Sequence, residues 1–227
     1  MIRTILVDID DTLLDFTLGE RMALQQAFLQ ARIPYDALYA SIYHDVNQSW
    51  WRRYDRGEVT VNRVVIERFV ELFRRIGKPM PLNFAMLYEE NLRRQHAFIR
   101  GAKGFLQRVG RDFGVYAVSN GRTVVQRGRL ADSGLDRMID GVFISEEMGY
   151  HKPQKEYFDV VAASIEGYLP ATTVIVGDSL SSDIAGGHVA GIHTVWYNRN
   201  HTPLTGGVAP DYETDDFHQI EAYIRSL

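Results

Sequence analysis

The chain has 227 residues, a length for one or two domains that bury roughly seven-tenths of their unfolded surface. It contains no cysteine, which excludes a disulfide framework, a thiolate metal site, a cysteine nucleophile and thiol redox chemistry. Apolar residues make up 45% and charged residues 24%, and 25 cationic against 29 anionic side chains give a net charge of −4, with no electrostatic footprint for a nucleic-acid polymer or an anionic membrane.

The first residues, Met1 to Ile9, hold only a short apolar run around one arginine before the chain turns acidic. A secretory signal needs a longer apolar stretch and small residues at its cleavage site, and no run approaches the 18 or so apolar residues of a membrane span. The chain therefore reads as cytoplasmic.

In chain order, Ile2, Ile5, Leu6, Val7 and Ile9 form an apolar, partly β-branched run that stops at acidic residues, the pattern of a buried strand ending in a polar loop. Residues from about 16 to 100 show no strand pattern. Leu24, Phe28 and Ala31 make one helical stripe, and Val61, Val64, Val65, Phe69, Leu72, Phe73 and Ile76 make another. Phe84, Leu87, Leu92 and Phe98 predict a further helix. Turn signals at Ile33-Pro34, Arg56-Gly57 and Gly77-Lys78-Pro79 punctuate the region. Short β-branched runs return at Val115–Val118, Val142–Ile144, Val174–Val176 and Thr194–Tyr197, with a weak one near Tyr212. Between them, Pro153 at a first helical position precedes Tyr157, Phe158, Val161 and Ile165 at helical spacing. Ser181 or Ser182 is placed to cap a helix that Gly191 ends. The expected fold is α/β: a mainly parallel sheet from residues 1–15 and 101–227, interrupted by an all-helical insertion over 16–100.

Ligands of a parallel α/β sheet bind beyond the carboxyl ends of its strands. Those positions hold Asp8, Asp10, Asp11 and Thr12 after the first strand, Ser119-Asn120-Gly121 after the second, His151-Lys152-Pro153 after the third, and Gly177-Asp178-Ser179 with Asp183 after the fourth. Each set alone is an ordinary turn or cap; their coincidence at successive strand ends argues for phosphoryl-transfer chemistry. Clustered carboxylates repel unless a cation neutralises them, and an all-oxygen set favours Mg²⁺. Asp8 and Asp10 would share one side of an extended chain, one to attack phosphorus and the other to handle the proton. Ser119 and the following N–H groups suit phosphate oxygens, with Gly121 allowing close approach. Lys152, one of four lysines against 21 arginines, would offset charge on the transferring group.

These four sets resemble the ordered motifs of the haloacid dehalogenase superfamily, and the resemblance covers essentially the whole chain. The insertion resembles that superfamily's helical type 1 cap on a Rossmann-like core. Asn47-Gln48-Ser49-Trp50-Trp51-Arg52, Ser145-Glu146-Glu147-Met148-Gly149, Lys152-Pro153-Gln154-Lys155-Glu156-Tyr157-Phe158 and Ser182-Asp183-Ile184-Ala185-Gly186-Gly187 are similar to the branch that contains pyrimidine 5'-nucleotidases. By position, the resemblance implies Asp8 as nucleophile and Asp10 as general acid and base. It implies Thr12 in fixing the loop and binding phosphate, Ser119 and the Asn120 backbone on phosphate, and Lys152 as a charge clamp. Mg²⁺ would be held by Asp8, the Asp10 carbonyl, Asp178 and Asp183. Asp11 departs from the glycine common at its position in the superfamily.

The retained Asp10, Asp178 and Asp183 favour a phosphatase over a 2-haloacid dehalogenase. Lys78, in a turn, is a poor Schiff-base lysine for phosphonate hydrolysis. Sugar phosphate or phosphoglycolate phosphatase and phosphomutase remain alternatives, as does an inactive phosphate-binding protein or a phosphoacceptor domain, although the latter is shorter and lacks an insertion. The expected partner is a small phosphorylated metabolite, the expected assembly a monomer or homodimer. Tyr43, Trp50, Trp51 and Tyr54 suit stacking on a base, but their spacing fits the core of the insertion better, and Asn47 is a candidate to face the site. Arg52-Arg53, Arg74-Arg75 and Arg93-Arg94 read as solvated helix faces.

Overall fold

The first strand, β1 (Thr4–Asp8), is buried at every position because it lies at the middle of a sheet covered on both faces. The computed structural model describes residues 1–204 and 207–227, and in it six strands are ordered β3-β2-β1-β4-β5-β6. They are β2 (Gly114–Ser119), β3 (Gly141–Ile144), β4 (Thr173–Gly177), β5 (His193–Tyr197) and β6 (Tyr212–Thr214), and every adjacent pair is parallel. The helices are α1 (Phe16–Gln30), α2 (Leu38–Asp55), α3 (Val61–Arg75), α4 (Phe84–Arg93), α5 (Ala102–Val109), α6 (Thr123–Ser133), the single turn α7 (Ser145–Met148), α8 (Lys155–Ser164), α9 (Ala185–Ala190) and α10 (Phe217–Ser226). None of the helices among the described residues is long and apolar enough to cross a membrane.

The two-residue period of the strands sorts their side chains. Ile5, Val7, Val115, Ala117, Val174, Val176 and Val195 pack on one face with Phe105, Leu106, Phe217 and Ile220 of α5 and α10. Leu6, Val118 and Ile175 pack on the other with Tyr157, Phe158 and Val161 of α8. Asp8 follows Leu6 by two residues and pairs in register with Val118. Strand alternation therefore aims it to the α8 side.

The chain divides into two compact units, residues 1–15 with 96–227, and residues 16–95. The return to the first unit comes at residue 96 rather than the expected 101, and the reason is backbone pairing. Asp15 N–H donates to Ala97 O at 2.8 Å, Ile99 N–H to Leu13 O at 2.9 Å, and Phe98 bridges Leu14 in antiparallel sense. Phe98, expected on a helix, is thus in an extended segment, and α4 ends five residues before it. Two other local expectations change. Pro153 is not a first helical residue: α8 begins at Lys155, and Pro153 follows a cis peptide bond. The cap after β4 is Ser179, whose side chain accepts from Ser182 N–H at 3.2 Å. A π-helical turn over Leu180–Ile184 follows it, and Gly191 closes α9 at φ 66°.

The helical unit of residues 16–95 holds its own aromatic core. Tyr43 stacks on Phe69 with centroids 5.2 Å apart and planes 7° apart, and Phe69 also meets Tyr88 at 4.9 Å and Phe84 at 5.4 Å. Trp50 and Tyr54 are buried with Val46, Val59 and Val64, because residues 43, 46, 50 and 54 recur at helical spacing on α2. Within this core lies an ionic set: Glu20 accepts from Asn47 Nδ2 at 2.5 Å, and Asn47 Oδ1 accepts from Arg68 at 2.9 Å. Asn47 is thereby committed to partners inside the helical unit.

Truncation of Phe69 removes a fully buried ring from this stack. Phe69→Ala is expected to destabilise the protein by about 3–5 kcal/mol, read as a lower urea midpoint. A change below about 0.5 kcal/mol, the size of an ordinary surface substitution, would contradict this packing.

Candidate active site

Beyond the carboxyl ends of β1, β2 and β4 the chain gathers two clusters of opposite charges. The first is built around Lys152, whose side chain is 1% exposed. Its Nζ donates to Asp8 Oδ1 at 2.5 Å, to Asp183 Oδ1 at 2.7 Å and to Val118 O at 3.2 Å. A lysine ammonium has three protons and no acceptor, so these contacts use its full capacity. Burial alone would lower the Lys152 pKa, but Asp183 and Asp8 outweigh it and hold the ammonium above its ordinary value.

Asp183 is fully buried because the π turn presents it inward. Its Oδ2 accepts from Ser179 N–H at 3.1 Å. The space it occupies exists because residue 177 is glycine: a Cβ there would lie 2.2 Å from the Asp183 carboxylate. Asp178 completes the group. Its backbone is tied by Trp196, whose indole N–H donates to Asp178 O at 2.8 Å.

Asp8, Asp178 and Asp183 each bring one carboxylate oxygen to within 4.8 Å of the others. Against these three acids stands the ammonium of Lys152, an excess of negative charge around two buried carboxylates, Asp8 and Asp183. The consequence is visible on the acids. Burial, with Asp183 and Asp10 adding to it against Lys152, raises Asp8 from 3.8 to about 8. Burial, then Asp8 and Asp183, pushes Asp178 well above its usual range. A hard divalent cation with oxygen ligands relieves both, so the donor set fits Mg²⁺.

The second cluster surrounds Asp10. Its Oδ2 accepts from Gln126 Nε2 at 2.8 Å, and its Oδ1 accepts from the Arg129 guanidinium. Gln126 Nε2 also donates to Ser119 Oγ at 2.7 Å, and Gln126 Oε1 accepts from Arg129 at 2.9 Å. Ser119 Oγ accepts once more, from Gly121 N–H at 3.0 Å. With both lone pairs engaged, the hydroxyl proton is left for donation to an anion. The Asn120 side chain makes a two-way pair with the Lys152 backbone, donating to Lys152 O at 2.8 Å and accepting from Lys152 N–H at 2.8 Å. It locks the Lys152 segment to the loop after β2.

Lys152 thus joins Asp8, Asp183 and Asn120, with Asp178 close to the two acids, while Asp10 and Ser119 share Gln126 in the second cluster. Alternation along an extended chain is not what joins Asp8 to Asp10, since β1 ends at Asp8 and Asp10 bridges Leu14 in a turn. Thr12 stands apart. It is fully buried and its Oγ1 has no hydrogen-bond partner among the described residues. Asp11 has φ 54°, the left-handed region where glycine is free and aspartate is among the tolerated residues. Arg199 pairs with Asp11 at 3.4 Å and Asp15 at 3.1 Å, pinning this loop. Gln126, Arg129 and Arg199 were not singled out by sequence reasoning. A glutamine and an arginine three apart, in the first turns after Ser119-Asn120-Gly121, were the available signal.

A profile of haloacid dehalogenase-like hydrolases matches residues 2–191. YfnB of Bacillus subtilis, described as a HAD-hydrolase, is 37% identical, over 96% of this chain and 93% of its own. Its magnesium-bound crystal structure superposes with a TM-score of 0.93 at 35% identity, covering 98% of both chains. The pyrimidine 5'-nucleotidase PynA of Streptococcus pneumoniae is 34% identical over 95% of this chain and 92% of its own. The pyrimidine 5'-nucleotidase YjjG of Escherichia coli is 30% identical over 96% and 95%. With its parallel sheet, its strand-end acids and these relatives along its whole length, the chain belongs to the haloacid dehalogenase-like hydrolases.

Proposed function

We propose that this hydrolase is a Mg²⁺-dependent phosphomonoesterase that works through a phosphorylated Asp8, with pyrimidine nucleoside 5'-monophosphates as its substrate class. The observation that carries the reading is the pair of acids in separate settings: Asp8 on Lys152, and Asp10 on Gln126 and Arg129. A dehalogenase needs the first acid alone, whereas ester cleavage needs a nucleophile and a second group for the leaving oxygen. The substrate class is supported by the identity to PynA and YjjG.

In the proposed reaction the Asp8 carboxylate attacks phosphorus, the bond from phosphorus to the ester oxygen breaks, and Asp10 gives its proton to that oxygen. Asp10, now a carboxylate, takes a proton from water as the water oxygen bonds to phosphorus, and the Asp8–phosphorus bond breaks to release phosphate. The Ser119 hydroxyl and the Asn120 backbone N–H hold phosphate oxygens, while Lys152 balances charge on the group in transfer. The metal would be held by Asp8, the Asp10 carbonyl, Asp178 and Asp183; when bound it supplies positive charge that neutralises the acids and the phosphate oxygens. Residues 16–95 serve as the cap that excludes water and selects the substrate. Within it, the burial of Tyr43, Trp50 and Tyr54 favours a structural task for these rings over stacking on a base.

Asp8→Asn is expected to lower Mg²⁺-dependent release of phosphate from p-nitrophenyl phosphate by about 10³-fold or more. Retained turnover would overturn the nucleophile assignment. In a panel of nucleotides, sugar phosphates and phosphoglycolate, kcat/KM is expected to be highest for the pyrimidine monophosphates; equal weak activity on all would defeat the nucleotidase reading.

Metal binding is expected to depend on pH through Asp8. Between the unfolded value of 3.8 and about 8, the metal-free folded chain holds a proton that the unfolded chain has lost, so its stability falls as pH rises through this window. Mg²⁺ displaces that proton, and its binding tightens by up to about tenfold per pH unit for each proton released. The rise in Tm on adding Mg²⁺ is therefore larger at pH 8 than at pH 6. An equal rise at both, or none in the wild type, would overturn the assignment of these carboxylates to the metal.

A further inference from the structure

We propose that Gln126 and Arg129 are positioning residues for proton transfer: they fix which oxygen of Asp10 carries the transferable proton and tie that carboxylate to the phosphate-binding hydroxyl of Ser119. The proposal rests on the reading of Asp10 as acid and base given above.

The hydrogen-bond chemistry of the cluster favours one arrangement. A guanidinium has five donors and no lone pair, so the proton of Asp10 cannot point at Arg129, and this cationic donor holds the negative charge on Oδ1, leaving the proton to Oδ2 with its neutral donor. Arg129 also donates to Gln126 at 2.9 Å, which forces the amide oxygen of Gln126 toward the arginine. The amide nitrogen must then face the other way. Its two protons go to Asp10 Oδ2 at 2.8 Å and Ser119 Oγ at 2.7 Å, so both are used. The proton that Asp10 gives and regains is left with the second lone pair of Oδ2.

Two further observations set this cluster apart from a chance surface contact. Gln126 and Arg129 are each 1% exposed, and burying an amide and a guanidinium is unfavourable without anions and acceptors beside them, which Asp10, Ser119 and the Gln126–Arg129 pair supply. The loop after β2 is also shaped around the glutamine: a Cβ at Gly121 would lie 2.8 Å from Gln126 Cγ and Nε2. The helix itself is anchored from its other side, where Thr123 N–H donates to Glu146 at 2.7 Å and Arg127 pairs with Glu147 at 2.7 Å. An amide that touches both Ser119 and Asp10 links the proposed phosphate-binding hydroxyl to the orientation of the acid.

The leaving group provides the test. A nucleoside alkoxide needs a proton to depart, whereas p-nitrophenolate leaves without one. The measured quantity is kcat/KM, which ends at departure of the leaving group and excludes the later hydrolysis of phosphorylated Asp8. Gln126→Met, Arg129→Met and Gly121→Ala, the last displacing the amide without removing it, are expected to lower kcat/KM for a pyrimidine nucleoside 5'-monophosphate by at least tenfold more than for p-nitrophenyl phosphate. Arg127→Gln, on the same helix but away from Asp10, keeps the wild-type ratio. Should Arg129→Met fail to fold, the other two variants carry the test. Equal losses on both substrates in variants that fold would show a merely structural role and overturn the proposal. Asp10→Asn separates the two levels. If it discriminates between leaving groups while the positioning variants do not, this proposal alone fails. If Asp10→Asn itself does not discriminate, the acid–base reading of Asp10 fails, and the positioning proposal with it.

Discussion

The site depends on one buried ammonium. Lys152 sits between Asp8 and Asp183 with its side chain 1% exposed, and a cation removed from water in this way is tolerable only when anions and acceptors surround it. Much of the local architecture can be traced to that demand. Gly177 makes room for the Asp183 carboxylate, the π turn after β4 carries Asp183 inward, and the Asn120 amide clamps the backbone of Lys152 from the neighbouring strand end. Removing the Asp183 carboxylate would leave the buried ammonium with one anion in place of two. The same cluster remains short of positive charge, and this shortage, rather than the chain's overall net charge, is what a divalent cation would relieve.

Asp8 and Asp10 are two residues apart yet have unlike partners. Asp8 is held by a lysine that also serves Asp183; Asp10 is held by an arginine and a glutamine from a different element, α6. Chemically equivalent carboxylates acquire different tasks when their surroundings differ. Here the difference comes from topology. β2 and α6 lie on one side of β1, and β4 with the π turn lies on the other. The central strand alone is flanked by both, so its end is the place where two distinct sets of partners meet.

The strands and the acids at their ends were legible in the sequence because both signals are local. A fully covered strand reads as an unbroken β-branched run, and a strand end is marked by the residues that follow it. Features set by pairing over distance were less legible. Phe98 lies at helical spacing from Leu92 and Phe84, but its backbone bonds to the loop after β1, and the helical segment stops short of it. Ser181 and Ser182 read as caps, whereas the extra residue of the π turn moves that task to Ser179. Gln126 and Arg129 carry no such local mark; their burial is decided by their contacts with Asp10 and Ser119 at the ends of β1 and β2, which no window of sequence contains. The spacing of Tyr43, Trp50 and Tyr54 fitted a helix core, and in the helical unit they are buried. Asn47, on the same stripe, is turned to Glu20 and Arg68.

The loop from Ile9 to Asp15 carries a further constraint. It must present Asp10 and then hand the chain to residues 16–95, whose ends are Phe16 and Gln95. Both crossings lie just outside a paired segment: Leu13 and Asp15 bond to Ile99 and Ala97, and Arg199 holds Asp11 and Asp15 from beyond β5. Asp11 accepts a left-handed backbone there, which lets the chain reverse toward Leu14 without pulling on Asp10. Asp8 and Asp10 keep their partners on Lys152, Gln126 and Arg129, none of which belongs to the helical unit. The strand-end acids and the helical unit are thus carried by different stretches of chain, with the pairing of residues 13–15 with 97–99 between them along the sequence.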